Sequence, residues 1–169
     1  MSRRFTVLCL AICVLVACRD SVNRLVEVNE ADVYGAAFSA VMVDALTQDI
    51  EYANRPYCLA ILNDASDPRF HALSEESLSP IDVRGARVLN LPACRIEFSE
   101  MSTVQRVVTL DGERANLLYA SHLSGRSGTQ YWVDLAIVSG PLAALGYECK
   151  VRKTSRGWEA VQIRVVWRA

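Results

Sequence analysis

The sequence holds few of the residues that usually carry chemistry. It has two histidines in 169 residues, His71 and His122. They cannot form the i, i+4 helical pair of a zinc-ligating motif. No glycine-rich phosphate loop is present, because Ser124–Gly128 is followed by neither a lysine nor a helix. Ser121 and His122 are neighbours in a strand-like stretch. Strict alternation would send them to opposite faces, so a nucleophile–base pair is not expected there. Blocks of one charge, internal repeats and low-complexity segments are also missing. Lys and Arg number 18 against 19 Asp and Glu, which argues against nucleic acid, whose binders carry a basic face. No catalytic residue, metal site or cofactor is expected from this inventory.

The one extended apolar run is at the N-terminus. Arg3 and Arg4 precede a largely apolar stretch of twelve residues, Phe5–Val16, and the small residue Ala17 follows. This is the anatomy of a secretory signal, and the run is short of the roughly 20 residues that span a bilayer. Leu15-Val16-Ala17-Cys18 matches all four positions of a lipobox. At these residues the chain resembles the bacterial lipoproteins of Gram-negative envelopes. The resemblance implies diacylglycerol on the Cys18 sulfur, cleavage before Cys18 and acylation of the new amine. Two or more acyl chains suffice for stable anchoring. Arg19, where an inner-membrane retention signal would place Asp, favours the outer membrane over the inner. The expected location is the cell envelope, lipid-anchored and facing the periplasm.

The expected organisation is therefore a signal peptide (1–17), a lipidated N-terminus with a short tether (18–28) and a single α+β domain (29–169). Loss of Arg3 and Arg4 shifts the net charge from −1 to −3. Beyond Cys18 three cysteines remain, Cys58, Cys94 and Cys149. An oxidising compartment closes one pair of three. Cys149 alternates with Tyr147 and Val151 on the apolar side of a strand, which favours a Cys58–Cys94 disulfide.

Asn29 with Asp32 reads as a helix cap. From Glu30 to about Asp49, Val33, Ala37, Val41 and Ala45 recur at helical spacing beside Tyr34, Phe38 and Met42. Tyr57–Leu62, after Pro56, reads as a strand buried on both faces. Asn63–Ser66 is a turn, Asp67-Pro68 starts a short helix with Phe70 and Leu73 inward, and residues 74–86 form a polar loop. Strands are expected at Arg87–Leu91, Arg95–Phe98, Val104–Leu110, Ala115–Ser121, Tyr131–Val138, Tyr147–Lys153 and Trp158–Trp167. Ser124–Gly128 is a flexible loop and Gly140-Pro141 a break. In the last strand Val161, Ile163, Val165 and Trp167 share one face and Gln162, Arg164 and Arg168 the other.

One long helix followed by hairpin-ordered strands gives an α+β fold class. The element order resembles the cystatin-like and NTF2-like architectures, in which a curved antiparallel sheet wraps a long helix. The closing hairpin, Gly157–Val161 to Trp167, is similar to that of small uncharacterised proteobacterial lipoproteins. The NTF2 resemblance draws attention to Asp134, a carboxylate sharing a face with Trp132 in an otherwise apolar strand. Tyr119 and Tyr131 are candidates to line a pocket with it, although a solvent-facing Asp beside a Lys or Arg is the commoner arrangement.

The expected role is a non-enzymatic, immunity-type binding or inhibitory lipoprotein, held to the membrane by its lipid. A protein toxin or a wall hydrolase is the expected partner, met through loops 63–86 and 122–129. A small-ligand binder or enzyme using a pocket near Asp134, and an envelope assembly factor, are the alternatives.

Overall fold

The computed structural model describes residues 30–48, 53–62, 69–99 and 103–168, with His122, Arg126 and Ser127 described by backbone alone. The expected signal segment, Cys18 with its expected tether, and the expected Asn29 cap, Asn63–Ser66 turn and Asp67-Pro68 helix start lie outside these residues.

Helix α1 spans Glu30–Thr47. Val33, Ala37, Phe38, Val41, Met42 and Ala45 are fully buried, because their three- and four-residue spacing places them on one side of the helix. Glu30 and Asp32 put negative charge in the first turn, where the helix dipole favours it. Next come β1 (Tyr57–Leu62), β2 (Phe70–His71), the one-turn helix α2 (Glu75–Leu78), β3 (Val88–Asn90), β4 (Cys94–Phe98) and β5 (Val104–Thr109). Four long strands close the chain: β6 (Asn116–Ser127), β7 (Gln130–Gly140), β8 (Ala143–Thr154) and β9 (Gly157–Arg168).

These strands overturn the α+β expectation and, with it, the cystatin/NTF2-like architecture. Strands make up 54% of the structure, against one long helix and one short one. The main sheet has seven strands in the order β2-β1-β6-β7-β8-β9, with β3 also paired to β1. It is mixed rather than antiparallel, since β1 runs parallel to both β3 and β6. The chain is mostly β because the hairpins are longer than turn signals suggest. Ser124–Ser127, expected in a loop, continues β6, and β7 runs to Gly140 before Pro141. Phe70 belongs to a strand and not to a helix. Within residues 74–86, Ser77, Ile81 and Val83 are buried.

Two layers flank the sheet. On one face α1 packs with Tyr57, Leu59, Leu118, Val133, Tyr147 and Cys149 into the larger core. On the other, the separate antiparallel pair β4–β5 covers Cys58, Ala60 and Leu117 with Val107 and Ile96. Strand β1 lies between the layers, and Tyr57, Cys58, Leu59 and Ala60 are each completely buried. Its alternate residues serve opposite cores, so a strand in this place has no polar side. A Cys58–Cys94 disulfide, with a Cα–Cα distance of 6.2 Å, joins β1 to β4. Asn90 ties the segment before α2 to β3: its Nδ2 donates to the Leu73 carbonyl at 2.9 Å and its Oδ1 accepts from Leu73 N at 3.2 Å.

Cys149 is free and buried on β8, and burial pushes its thiol up to about 12. The unfolded chain ionises that thiol above about pH 9 while the folded chain keeps it protonated, so its contribution to stability is lost between about pH 9 and 12. Thermal unfolding of the native chain and Cys149→Ala should therefore converge as pH rises through that window. Replacing both Cys58 and Cys94 by Ala, which opens a bridge spanning 36 residues, should lower the unfolding free energy by about 3–4 kcal/mol in urea titrations.

Candidate functional site

The sheet face that carries β4–β5 over β1, β6 and the Val138–Gly140 end of β7 is open over the rest of β7 and over β8–β9. Backbone pairing brings ionisable residues into register across the strands. His122 lies opposite Asp134, Asp134 opposite Glu148, and Glu148 opposite Arg164. Arg164 and Glu148 form an ion pair at 2.5 Å. The exposure of the Arg164 side chain limits that pair to about 1 kcal/mol or less. Asp134 and Glu148, like charges directly opposite, disfavour each other. With Arg164 engaged by Glu148, Asp134 is the residual negative centre of the row. One pleat along, the Lys150 ammonium lies over the Trp132 ring, 5.4 Å from its centroid.

A cleft of about 420 Å³ opens beside this row, lined by Tyr119, Ser121, Asp134, Glu148, Val166 and Trp167 among others. Tyr119 and Asp134 are thus neighbours in one cleft. Burial raises the Tyr119 phenol above its ordinary pKa, so it is a neutral hydrogen-bonding group at physiological pH. Tyr131 lies elsewhere. Three residues from Asp134 along β7, it falls on the opposite face, where its ring meets Trp158 edge-on at 5.5 Å. Between Ala120 and His122 the pairing of β6 with β7 shifts register. That shift leaves Ser121 without a partner residue in the register. The cleft combines an acidic floor with aromatic walls. It suits a cationic or hydrogen-bond-donating group.

Trp167 enters this cleft because β9 bulges. Opposite β8, Tyr147 pairs with Val165 and Gly146 with Trp167, leaving Val166 as an extra residue. A second shift leaves Val161 extra, between Ala160 opposite Val151 and Gln162 opposite Lys150. Each bulge reverses the alternation that follows it. Val161 and Trp167 consequently do not share the inner face with Ile163 and Val165: they are 42% and 45% exposed. The Trp167 indole lies directly on Gly146, where a Cβ would overlap it.

A larger depression, about 760 Å³, lies between α1, the Pro80–Val83 segment and the start of β9. Its helical wall is Gly35, Ala36, Ser39 and Ala40, and its β wall includes Trp158, Ala160 and Ile163. Gly35 lets Pro80 approach closely here, since a Cβ would come within 2.9 Å of Pro80 Cγ. Sequence reasoning missed this groove because three distant segments build it. The cluster of small residues from Gly35 to Ala40 was its one visible signal.

Cys18 lies outside the described residues. Among the described residues no group of three or more His, Cys, Asp or Glu is placed to hold a metal ion, and no helix is long and apolar enough to cross a membrane. Gly146→Ala should lift the Trp167 indole off the sheet. The expected result is a shift in tryptophan emission together with a loss of about 1–3 kcal/mol in stability. No family model matches this chain, and no curated protein or solved structure matches it.

Proposed function

We propose that this chain is a lipid-anchored, periplasm-facing binding protein of a bacterial envelope, which neutralises a protein partner such as a toxin or a wall hydrolase. The observation that carries the reading is the lipobox, Leu15-Val16-Ala17-Cys18, at the end of a signal-like segment. A Cys58–Cys94 disulfide supports it, since such bonds persist in oxidising compartments. The first described element, α1, begins at Glu30, twelve residues after Cys18. An extended chain of that length reaches at most about 40 Å, so the anchor holds the folded head close to its membrane. The open sheet face offers Trp132, Arg164 and Trp167, the residue types that dominate the energetics of protein interfaces.

A second reading is favoured by a separate observation. Tyr119 and Asp134 line one cleft, which would suit a small cationic ligand. In that case Asp134→Asn should abolish ligand binding and leave membrane attachment untouched.

Fractionation of cells expressing the Cys18→Ser chain tests the anchor. The variant should retain its signal segment or appear in the soluble periplasm, whereas the native chain should sediment with membranes and migrate as a lipid-modified species. Processing at the same bond and unchanged membrane recovery in the variant would overturn the reading. The native chain should also retain a secreted protein from its own envelope extract through detergent washing.

A further inference from the structure

Strand β9 ends the seven-stranded sheet, paired with β8 on one side and with no described strand on the other. At twelve residues it is as long as β6 and β8. It has no proline, and its only glycine is at its first position. A long open edge of this kind offers backbone N–H and C=O groups to another chain. Its two bulges, at Val161 and Val166, interrupt any continuous ladder along the full strand. A second copy would bring the same two interruptions, so edge-to-edge pairing of two β9 strands is poorly matched. The stretch Gly157–Ala160, which pairs with β8 without a register shift before the first bulge, suits a short extended segment instead.

That stretch borders the α1 groove. An edge strand facing a helix across a groove is the arrangement in which a peptide adds as a strand. Main-chain bonds then give affinity and alternate side chains give specificity. The small wall of Gly35, Ala36, Ser39 and Ala40 leaves room for side chains, within the usual size range of ligand sites. The rim is acidic. Asp32, Asp82 and Glu159 line it against a single cation, Arg156, which pairs with Glu159 at 3.3 Å. Asp32 and Asp82 are exposed and have no ion-pair partner among the described residues.

We infer that the α1–β9 groove captures an extended segment of a partner protein in which basic and apolar residues alternate, paired as an added strand to Gly157–Ala160. Apolar side chains of the segment enter between α1 and β9, and its Lys or Arg side chains meet Asp32 and Asp82. The inference rests on the binding reading above and supplies its surface, but it does not need the lipid.

The test uses the full chain in detergent micelles and labelled peptides alternating valine with lysine, with valine–glutamate peptides as the control. Fluorescence anisotropy should show saturable binding of the lysine peptide, with salt-dependent affinity. Asp32→Asn combined with Asp82→Asn, both at exposed positions, should weaken it about tenfold. Ser39→Trp, which fills the groove, should abolish it, and hydrogen exchange should show new protection at Gly157–Ala160. Equal affinity for the glutamate peptide, or protection elsewhere on the sheet, would overturn the inference. So would concentration-dependent dimerisation that protects β9 without peptide, which would give the edge to a second copy. Failure of every peptide, with membrane attachment and partner capture intact, would remove this surface and leave the binding reading standing. Peptide capture by a chain whose attachment survives Cys18→Ser would keep this surface and remove the lipid anchor.

Discussion

Strand β1 is the constraint on which the architecture depends. Four successive residues, Tyr57–Ala60, have no solvent exposure, and each alternate pair belongs to a different core. Removing those side chains from water requires a cover on each face. Helix α1 supplies one and the β4–β5 hairpin the other. At about 1.5–3 kcal/mol for each large buried side chain, neither cover could be lost without exposing half of the strand. The disulfide at Cys58 fastens the smaller cover to this same strand. That placement suits a layer of only two strands, which is marginal on its own.

Much of this layering was legible in the residues, and the fold class was not. The apolar run after Pro56 carried the two-sided burial of β1, and the heptad-like spacing from Val33 to Ala45 carried the inner face of α1. What misled was the weight given to local turn chemistry. Ser124-Gly125-Arg126-Ser127 reads as a loop, yet it extends a β6–β7 hairpin, because cross-strand pairing can hold glycine and serine in a ladder that their own preferences oppose. The parallel pairing of β1 with β6 was equally out of reach. Parallel neighbours are chosen by layers distant in sequence, and no hairpin signal announces them.

The surface shows the same division between what is local and what is not. Asp134 could be singled out as a carboxylate among apolar neighbours, but grouping Tyr131 with it ran against the odd spacing that puts the two on opposite faces of β7. Trp167 could not be placed, because two bulges in β9 each reverse the count, and a bulge leaves no mark in a run such as Val161–Trp167. Gly146, placed before the expected strand at Tyr147, lies within β8, where the absence of a side chain admits the Trp167 indole.

The parallel contact between Tyr57–Ile61 and Asn116–Ala120 has a kinetic consequence. Its two halves stand about sixty residues apart in the chain, and loop-closure entropy must be overcome before the contact stabilises anything. Until β6 has left the ribosome, β1 lacks its partner and both cores remain unassembled. Native assembly is thereby held back until Asn116–Ala120 are free to pair with Tyr57–Ile61.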